Sequence, residues 1–507
     1  MKSLYFTEDH TFFRQTVRQF IETEVVPHAD EWEKAQKIPR HIWKRMGELG
    51  FLGINLPEIY GGSEADLFFS VVFLEEISRC YMGGFAAAVS VHEYMAIAHL
   101  AKAGSHELKQ KYLAPSIAGD MIGALAISEP SGGSDVSALR TTAVREGDEY
   151  VINGNKTFIT NGVYSDFIVT ACRTSPGKGV QGISLIIVDR NTPGVSANKL
   201  DKIGWNCSDT GEIFYENVRV PASNLIGKEG MGFYYIMESF QLERLVGGIM
   251  GVGGAEHTLE VTLQYMRERE AFGRPINRFQ VLRHRIANLA TEIEAARQLT
   301  YHTCWLYANN QYAVKEASMV KLYCSELAKK VADECLQCFG GYGYMNDFPI
   351  ARIYRDARAG TIVAGTSEIM REIIAKIVVD DVSYQSAYKG GQKTTKEEAP
   401  LTAIDIIRSL PKRLKAEKVN GFSTVCHFAL SGENGGDFTV TIADGTCEVR
   451  DGHEGEAACL IEASAETYAQ VELGKMNPQA AIFSGKIKIS NLAVMMKFSQ
   501  LFKRISA

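Results

Sequence analysis

The sequence predicts a multidomain α+β protein: an all-α N-terminal domain, a compact β-barrel or sandwich, a second helical domain and a small α+β unit. Three observations predict it. The chain has 507 residues, more than one hydrophobic core supports. Its apolar residues recur at three and four, then at two, then at three and four again. The stretch Ser383 to Pro400, SYQSAYKGGQKTTKEEAP, is polar and without period, which marks a linker. The expected divisions are 1–120, 121–227 and 228–382, a linker over 383–400, and a last unit over 401–507.

Helical spacing sets the first domain. Phe12, Phe13, Val17, Phe20 and Ile21 recur at three and four. Gly50 to Gly62 is a Gly/Pro-rich break. Phe68 to Ala101 is helical again, with small residues from Gly83 to Ala88 that permit close packing. From about Met121 the texture becomes short β-type runs: Tyr150 to Ile152, Phe167 to Thr170, Ile183 to Val188 and Ile213 to Tyr215. Asn153-Gly154 and Pro176-Gly177 are expected as turns between them. The strands end near Leu225. From Gly230 to Val382 the helical period holds, broken at Gly273-Arg274-Pro275 and at Phe339 to Tyr344. Beyond the linker, Ile404 to Lys415 and Ala463 to Leu473 read as helices, and Phe438 to Ile442 and Ala457 to Ile461 as strands. Leu492 to Ile505 is a closing amphipathic helix whose Met495, Met496, Phe498, Leu501 and Phe502 are expected in a core.

Composition narrows the class. Net charge is −6 with no long basic run, so nucleic acid is not an expected partner. No apolar stretch reaches the ~20 residues of a transmembrane segment. The start, MKSLYFTEDHTFF, lacks the marks of a signal or transit peptide, and Ile505-Ser506-Ala507 is no peroxisomal address. Ten scattered cysteines suit a reducing cytoplasm. Cys335 and Cys338 read as packed thiols. His92 and His99, seven apart, read as core or surface histidines, and no metal site is expected.

One residue breaks the apolar pattern. Ile236, Phe240 and Glu243 fall at i, i+4 and i+7, on one helix face. A carboxylate there is either paired, with Arg244 the nearest candidate, or has a chemical task. Gly247 and Gly248 follow, where a flat ligand could lie close.

Several segments together resemble the acyl-CoA dehydrogenase family. They are Ala126 to Asp135 (AISEPSGGSD), Lys156 to Gly162 (KTFITNG), Arg267 to Gly273 (REREAFG), Gln337 to Gly341 (QCFGG) and Ala364 to Glu368 (AGTSE). Their order and spacing match over residues 1–382. The resemblance implies that family's fold: a β-barrel between an all-α domain and a C-terminal four-helix bundle, with FAD bound between the β domain and the bundle. It implies Leu125, Ile127 and Ser128 beside the flavin, Ser128 near N5, Thr160 on the ring system and Phe158 stacked on it. Gly133 and Ser134 would admit the pyrophosphate. Arg269, Phe272, Gln280, Gln337 and Gly341 would reach the adenosine half of a neighbouring subunit's FAD, in a homotetramer. Thr366 and Glu368 would close on the cofactor. Ser134, Gln241, Arg244, Val363, Ala364 and Gly365 are expected at the acyl-CoA.

Many members of the family carry the catalytic glutamate where this chain has Ala364. In the isovaleryl-CoA and long-chain branches the base comes instead from a Leu-Glu-Arg, here Leu242-Glu243-Arg244. The implied reaction is α,β-dehydrogenation: Glu243 removes the α proton while hydride leaves the β carbon for flavin N5. The Ala364 N–H would steady the enolate, and electron-transferring flavoprotein would take the electrons. Gly474 to Ile489 (GKMNPQAAIFSGKIKI) resembles the closing part of sterol carrier protein type 2 domains, which implies a fatty acyl or sterol-like lipid in the last unit. His427 and His453 read as surface or core residues. Two other functions compete: a lipid or acyl-CoA binding protein that has lost the chemistry, and an oxygen-using oxidase or flavin monooxygenase of the same fold.

Overall fold

The first helical stretch becomes α1 (Glu8–Phe20), α2 (Ala29–Ala35), α3 (Arg40–Glu48), α4 (Leu67–Ile77), α5 (Gly83–Val91), α6 (Ile97–Ala103), α7 (His106–Leu108) and α8 (Ala114–Ile117) in the computed structural model. The structure describes residues 4–175, 179–382, 402–415, 419, 421–473, 481–482 and 484–502. Val17, Phe20 and Ile21 are buried in one core with Phe51, Val71 and Phe73. Asp66 caps α4 by accepting the Phe68 N–H at 2.7 Å. Arg14 joins Glu75 at 2.6 Å and Glu76 at 2.8 Å, while Arg18 reaches Glu76 at 2.8 Å. Charged hydrogen bonds thus fix α1 on α4.

The β domain holds β1 (Gly123–Ala126), β2 (Thr142–Glu146), β3 (Glu149–Thr160), β4 (Phe167–Arg173), β5 (Ile183–Asp189), β6 (Val195–Lys199), β7 (Thr210–Pro221) and β8 (Leu225–Ile226). They form one sheet in the order β6-β7-β3-β2-β4-β5-β8, with β1 parallel to β4. β4 and β5 are buried on both faces, which is why they read as unbroken apolar runs. The expected turn at Asn153-Gly154 is a correction. Both residues lie inside β3, at a register shift between Ile152 and Gly154. Gly154 takes φ +143°, and the Thr141 Cα stands 2.7 Å from where a Cβ would sit, so the glycine makes a bulge under close packing. β2 and β3 reverse instead at Gly147-Asp148. Pro176-Gly177 lies outside the described residues.

The bundle comprises α9 (Gly232–Glu268), a short hairpin of β9 (Glu270–Ala271) and β10 (Arg274–Pro275), then α10 (Gln280–Ala308), α11 (Val314–Phe339), α12 (Pro349–Ala357) and α13 (Ser367–Val378). α9, α10 and α11 pack on one another, and α13 packs on α11. Gly248 faces Val320, where a Cβ would fall 2.2 Å from Val320 Cγ1. It serves helix contact, not an open ligand face. Cys335 and Cys338 are buried free thiols.

Residues 1–389 and 390–507 are two compact units. The second contains α14 (Ala403–Arg408), α15 (Leu410–Arg413), β11 (Thr424–Ser431), β12 (Gly436–Ala443), β13 (Thr446–Asp451), β14 (Cys459–Ser464), α16 (Ala465–Glu472), β15 (Ile487–Ile489) and α17 (Leu492–Gln500). Its sheet runs β13-β12-β11-β14-β15, with Phe428, Ile461, Tyr468 and Phe498 in its core. Pro411 sits in the first turn of α15, where its missing N–H costs nothing. The closing helix stops at Gln500, short of the expected Ile505, and Phe502 pairs with Leu414. His427 and His453 stack with ring centroids 4.4 Å apart. The linker 383–400, residues 474–480 and Phe483 of the carrier-like motif, the Met496 side chain and residues 503–507 lie outside the described residues. Among the described residues no helix is long and apolar enough to cross a membrane.

Candidate active site

Helix α9 delivers the anomalous carboxylate to an apolar seam. Leu125 on β1, with Ile127 just after it, packs with Met237 and Phe240 against the buried Ile236 and Leu100. Glu243 lies one turn beyond Phe240 and is 4% exposed. Its Oε1 has no hydrogen-bond partner. His99 Nε2 comes within 3.9 Å and is likewise unpartnered. At that distance the two approach without bonding. Burial pushes the Glu243 carboxyl up to about 8, against the pull of Arg244. Burial, helped by Lys102, pushes the His99 imidazole down to about 4. Between these values both groups are neutral, so the contact is not an ion pair.

The segment at Ala364 adjoins the same part of the bundle. Ala364 takes φ +52° and Gly365 φ +88°, a left-handed pair that a non-glycine residue adopts at some cost. Lys321 on α11 donates from Nζ to the Gly365 carbonyl. Its ammonium is pushed down to about 8, first by burial and then by Arg244. Arg244 is itself buried, with its guanidinium 5.6 Å from the Phe240 ring centre. Thr366 caps α13, accepting the Ile369 N–H at 3.3 Å. Val363 and Glu368 are exposed. Gln241, expected at the substrate, accepts the Ala313 N–H at 3.1 Å through Oε1 and so joins α9 to the start of α11.

A buried ion pair shapes the β-domain side. Lys156 Nζ donates to Glu129 at 2.9 Å and to the Ile127 carbonyl at 3.0 Å. Glu129 also accepts the N–H groups of Arg140 at 2.7 Å and Thr141 at 2.9 Å. The Thr157 N–H donates to the Ser128 carbonyl at 3.0 Å. This fixes the segment holding Ser128 against β3. A second register shift between Lys156 and Ile159 follows. It puts Phe158 at φ +61° and leaves the ring 71% exposed. Thr160 pairs with Thr210 and is half-buried. Gly133 and Ser134 are exposed, with open space where a Gly133 Cβ would be.

A third group gathers where α9 and α11 end. Arg269, Gln337 and Gly341 line a cleft of about 500 Å³ with Tyr265, Phe339 and Tyr342. The Arg269 guanidinium lies 5.6 Å from the Tyr342 ring centre. Phe272, at the tip of the β9–β10 hairpin, is 94% exposed. Gln280 opens α10 and is exposed. The residues lining this cleft include none from the Ser128, Phe158 or Glu243 segments. An uncovered aromatic face, open glycine backbone and a cationic cleft fit a flat ring system carrying phosphates, so the residues present suit FAD. Among the described residues no cluster of potential ligands could hold a metal ion.

Two lysines here are not singled out by spacing, and His99 reads from spacing only as a core or surface histidine, with no role at the site. Lys321 carries a visible signal, a cation between Val320 and Leu322, whereas Lys156 sits between Asn155 and Thr157 and carries none. His99 carries none, because its contact with Glu243 spans distant parts of the chain.

Comparison with known proteins identifies the family of the domains over 7–379 and of the last unit. Family models match as the acyl-CoA dehydrogenase N-terminal domain over 7–120, middle domain over 124–218 and C-terminal domain over 230–379. The SCP-2 sterol transfer family matches over 405–503. The chain is similar to a mitochondrial long-chain specific acyl-CoA dehydrogenase of Sus scrofa, 40% identical over 74% of this chain and 88% of that protein. It is similar to the crystal structure of an acyl-CoA dehydrogenase from Geobacillus kaustophilus, 43% identical, TM-score 0.71, covering 74% of this chain and 99% of that one. A glutaryl-CoA dehydrogenase from Mycobacterium smegmatis, solved in complex with FADH2, is 28% identical with TM-score 0.71, covering 75% of this chain and 97% of that one.

Proposed function

Because this chain belongs to the acyl-CoA dehydrogenase family and is an FAD-dependent oxidoreductase of acyl-CoA thioesters, we propose that Glu243 is its α-proton base. The observation that carries the reading is a buried carboxyl without a partner on Oε1, held near a pKa of 8. Such a group accepts a carbon-bound proton far better than a solvated carboxylate does. The alternative position holds Ala364 and offers no acid.

The residues divide the work. The Ala364 N–H donates to the thioester carbonyl and steadies enolate charge as Glu243 takes the α proton. Val363, Ala364 and Gly365 leave room for a branched or longer acyl chain. Leu125, Ile127 and Phe240 keep water from the carboxyl. Ser128, Thr160 and Phe158 face the flavin, Gly133 and Ser134 its phosphates. FAD supplies the acceptor for the β hydride. Arg269, Phe272, Gln280, Gln337 and Gly341 meet the FAD of a second copy in a homotetramer, and Thr366 and Glu368 close on the cofactor. Arg244 and Gln241 orient the base helix at the substrate. Electron-transferring flavoprotein is the acceptor. The unit over 401–507 takes a fatty acyl or sterol-like lipid, and the divisions at 120, 227, 382 and 400 stand as the working boundaries.

The test is anaerobic bleaching of the yellow enzyme across short, branched, aromatic and long acyl-CoAs. Glu243→Gln is expected to keep the colour and lose the bleaching. Full bleaching by that variant removes Glu243 from the role.

A further inference from the structure

Two buried polar atoms face each other next to the reacting carboxyl, and neither has a partner. Glu243 Oε1 and His99 Nε2 stand 3.9 Å apart. Side chains so enclosed normally satisfy their polar atoms. Here a small rotation of either group would close the gap to a hydrogen bond. The other imidazole nitrogen is engaged: His99 Nδ1 lies 3.3 Å from Ser239 Oγ, one turn before Glu243 on α9.

The surroundings decide the charge state. On α6, Lys102 stands by, but its ammonium pairs with Glu238 of α9 at 3.0 Å. From α9 the facing groups are Glu238, Glu243 and Arg244. The segment 92–96 packed on α6 brings His92 and Glu93, and the segment 109–113 brings Lys109, Lys111 and Tyr112. His92 Nδ1 accepts the Gly123 N–H, and both Glu93 oxygens accept the Gly53 N–H. Burial, and behind it the Lys102 ammonium, keeps the His99 ring neutral.

We infer that His99 is a positioning residue for the base: with Nδ1–H donated to Ser239 Oγ, its bare Nε2 accepts a hydrogen bond from Glu243 once the carboxyl is protonated. The contact exists only while the carboxyl is protonated: at rest below about pH 8, and above it once the α proton has moved from carbon to Oε1. Ionised Glu243 faces a lone pair and is repelled; protonated Glu243 is held. The imidazole thereby favours the product side of the proton transfer and raises the basicity of the carboxylate. No proton passes to His99, and no other bond changes. This deepens the assignment of Glu243 as base and rests on it.

The experiment is stopped-flow anaerobic flavin reduction by a saturating acyl-CoA, from pH 6 to 9.5. His99→Phe keeps a ring of similar shape and removes the acceptor. Its rate-against-pH limb is expected to move down by about one unit, with the plateau rate down about tenfold. Ser239→Ala frees Nδ1, lets Nε2 carry the proton part of the time, and is expected to move the limb in the same direction by less. That variant deletes one hydroxyl and covers the case in which His99→Phe does not hold flavin. A limb unmoved in both variants, or moved up in either, overturns the inference. Glu243→Gln separates the two ideas: if it still reduces flavin, the base assignment fails, whatever His99 does.

Discussion

Lys156 and Glu129 meet at 2.9 Å with side chains 0% and 5% exposed. The pair locks the Ser128 segment to the β3 bulge that turns Phe158 outward. Removing one partner strands the other's charge away from water. Lys156→Met is therefore expected to cost about 3–5 kcal/mol and to lower flavin content. The double variant Lys156→Met with Glu129→Gln is expected to recover part of the loss. Calorimetry and the flavin-to-protein absorbance ratio check both, and a single variant as stable as the wild type removes the pair from this role.

The pH dependence of the chemistry has a definite sign. A base acts in its ionised form, and burial holds the Glu243 carboxyl up to about 8. Reduction by acyl-CoA is expected to rise about tenfold per pH unit below that value and to level above it. The measurement is the single-turnover bleaching rate from pH 6 to 9.5. A rate already flat at pH 6 would place the base's pKa far lower and contradict the buried geometry.

Legibility divides by the range of the interaction. Helical and strand periods are local, so α9 and the apolar runs of β4 and β5 were readable from spacing. So was Glu243, because a carboxylate on an apolar face is an anomaly within one helix. Asn153-Gly154 misled because a turn signal and a bulge signal use the same residues, and only pairing with β7 tells them apart. The His99 contact joins residues far apart in sequence, and the Lys321 bond to Gly365 joins the body of α11 to the segment before α13. Neither has a periodic signature. The Arg269, Gln337 and Gly341 cleft was reached through resemblance alone, since each residue is unremarkable in its own segment.

The second unit supports a packing prediction. Phe428 is fully buried on β11, with its ring 5.8 Å from Tyr468 and 5.9 Å from Phe498. Phe428→Ala removes most of a buried aromatic side chain and leaves a cavity, at an expected cost of about 3–5 kcal/mol. Denaturant unfolding of this unit is expected to shift accordingly, and binding of a fluorescent fatty acid to fall. Unchanged unfolding would show that the core repacks around the gap.

Asp356 gives stability a pH slope that can be isolated. Its Oδ1 accepts the Trp205 N–H at 2.6 Å and its Oδ2 the Gly83 N–H at 2.9 Å. Burial nevertheless outweighs these bonds and pushes the carboxyl up to about 7. An unfolded aspartate titrates near ~3.9. Between those values the folded protein binds more protons than the unfolded one, so stability falls as pH rises through the window and is level above it. Asp356→Asn removes that share. Its amide also turns an N–H toward one of the two donors, which lowers stability at pH 5 by about 1 kcal/mol. From pH 5 to 6.5 the variant is expected to lose about 1.4 kcal/mol less per pH unit than the wild type. Denaturant midpoints at pH 5, 5.75 and 6.5 read the difference directly, and parallel curves would mean that Asp356 is already ionised at pH 5.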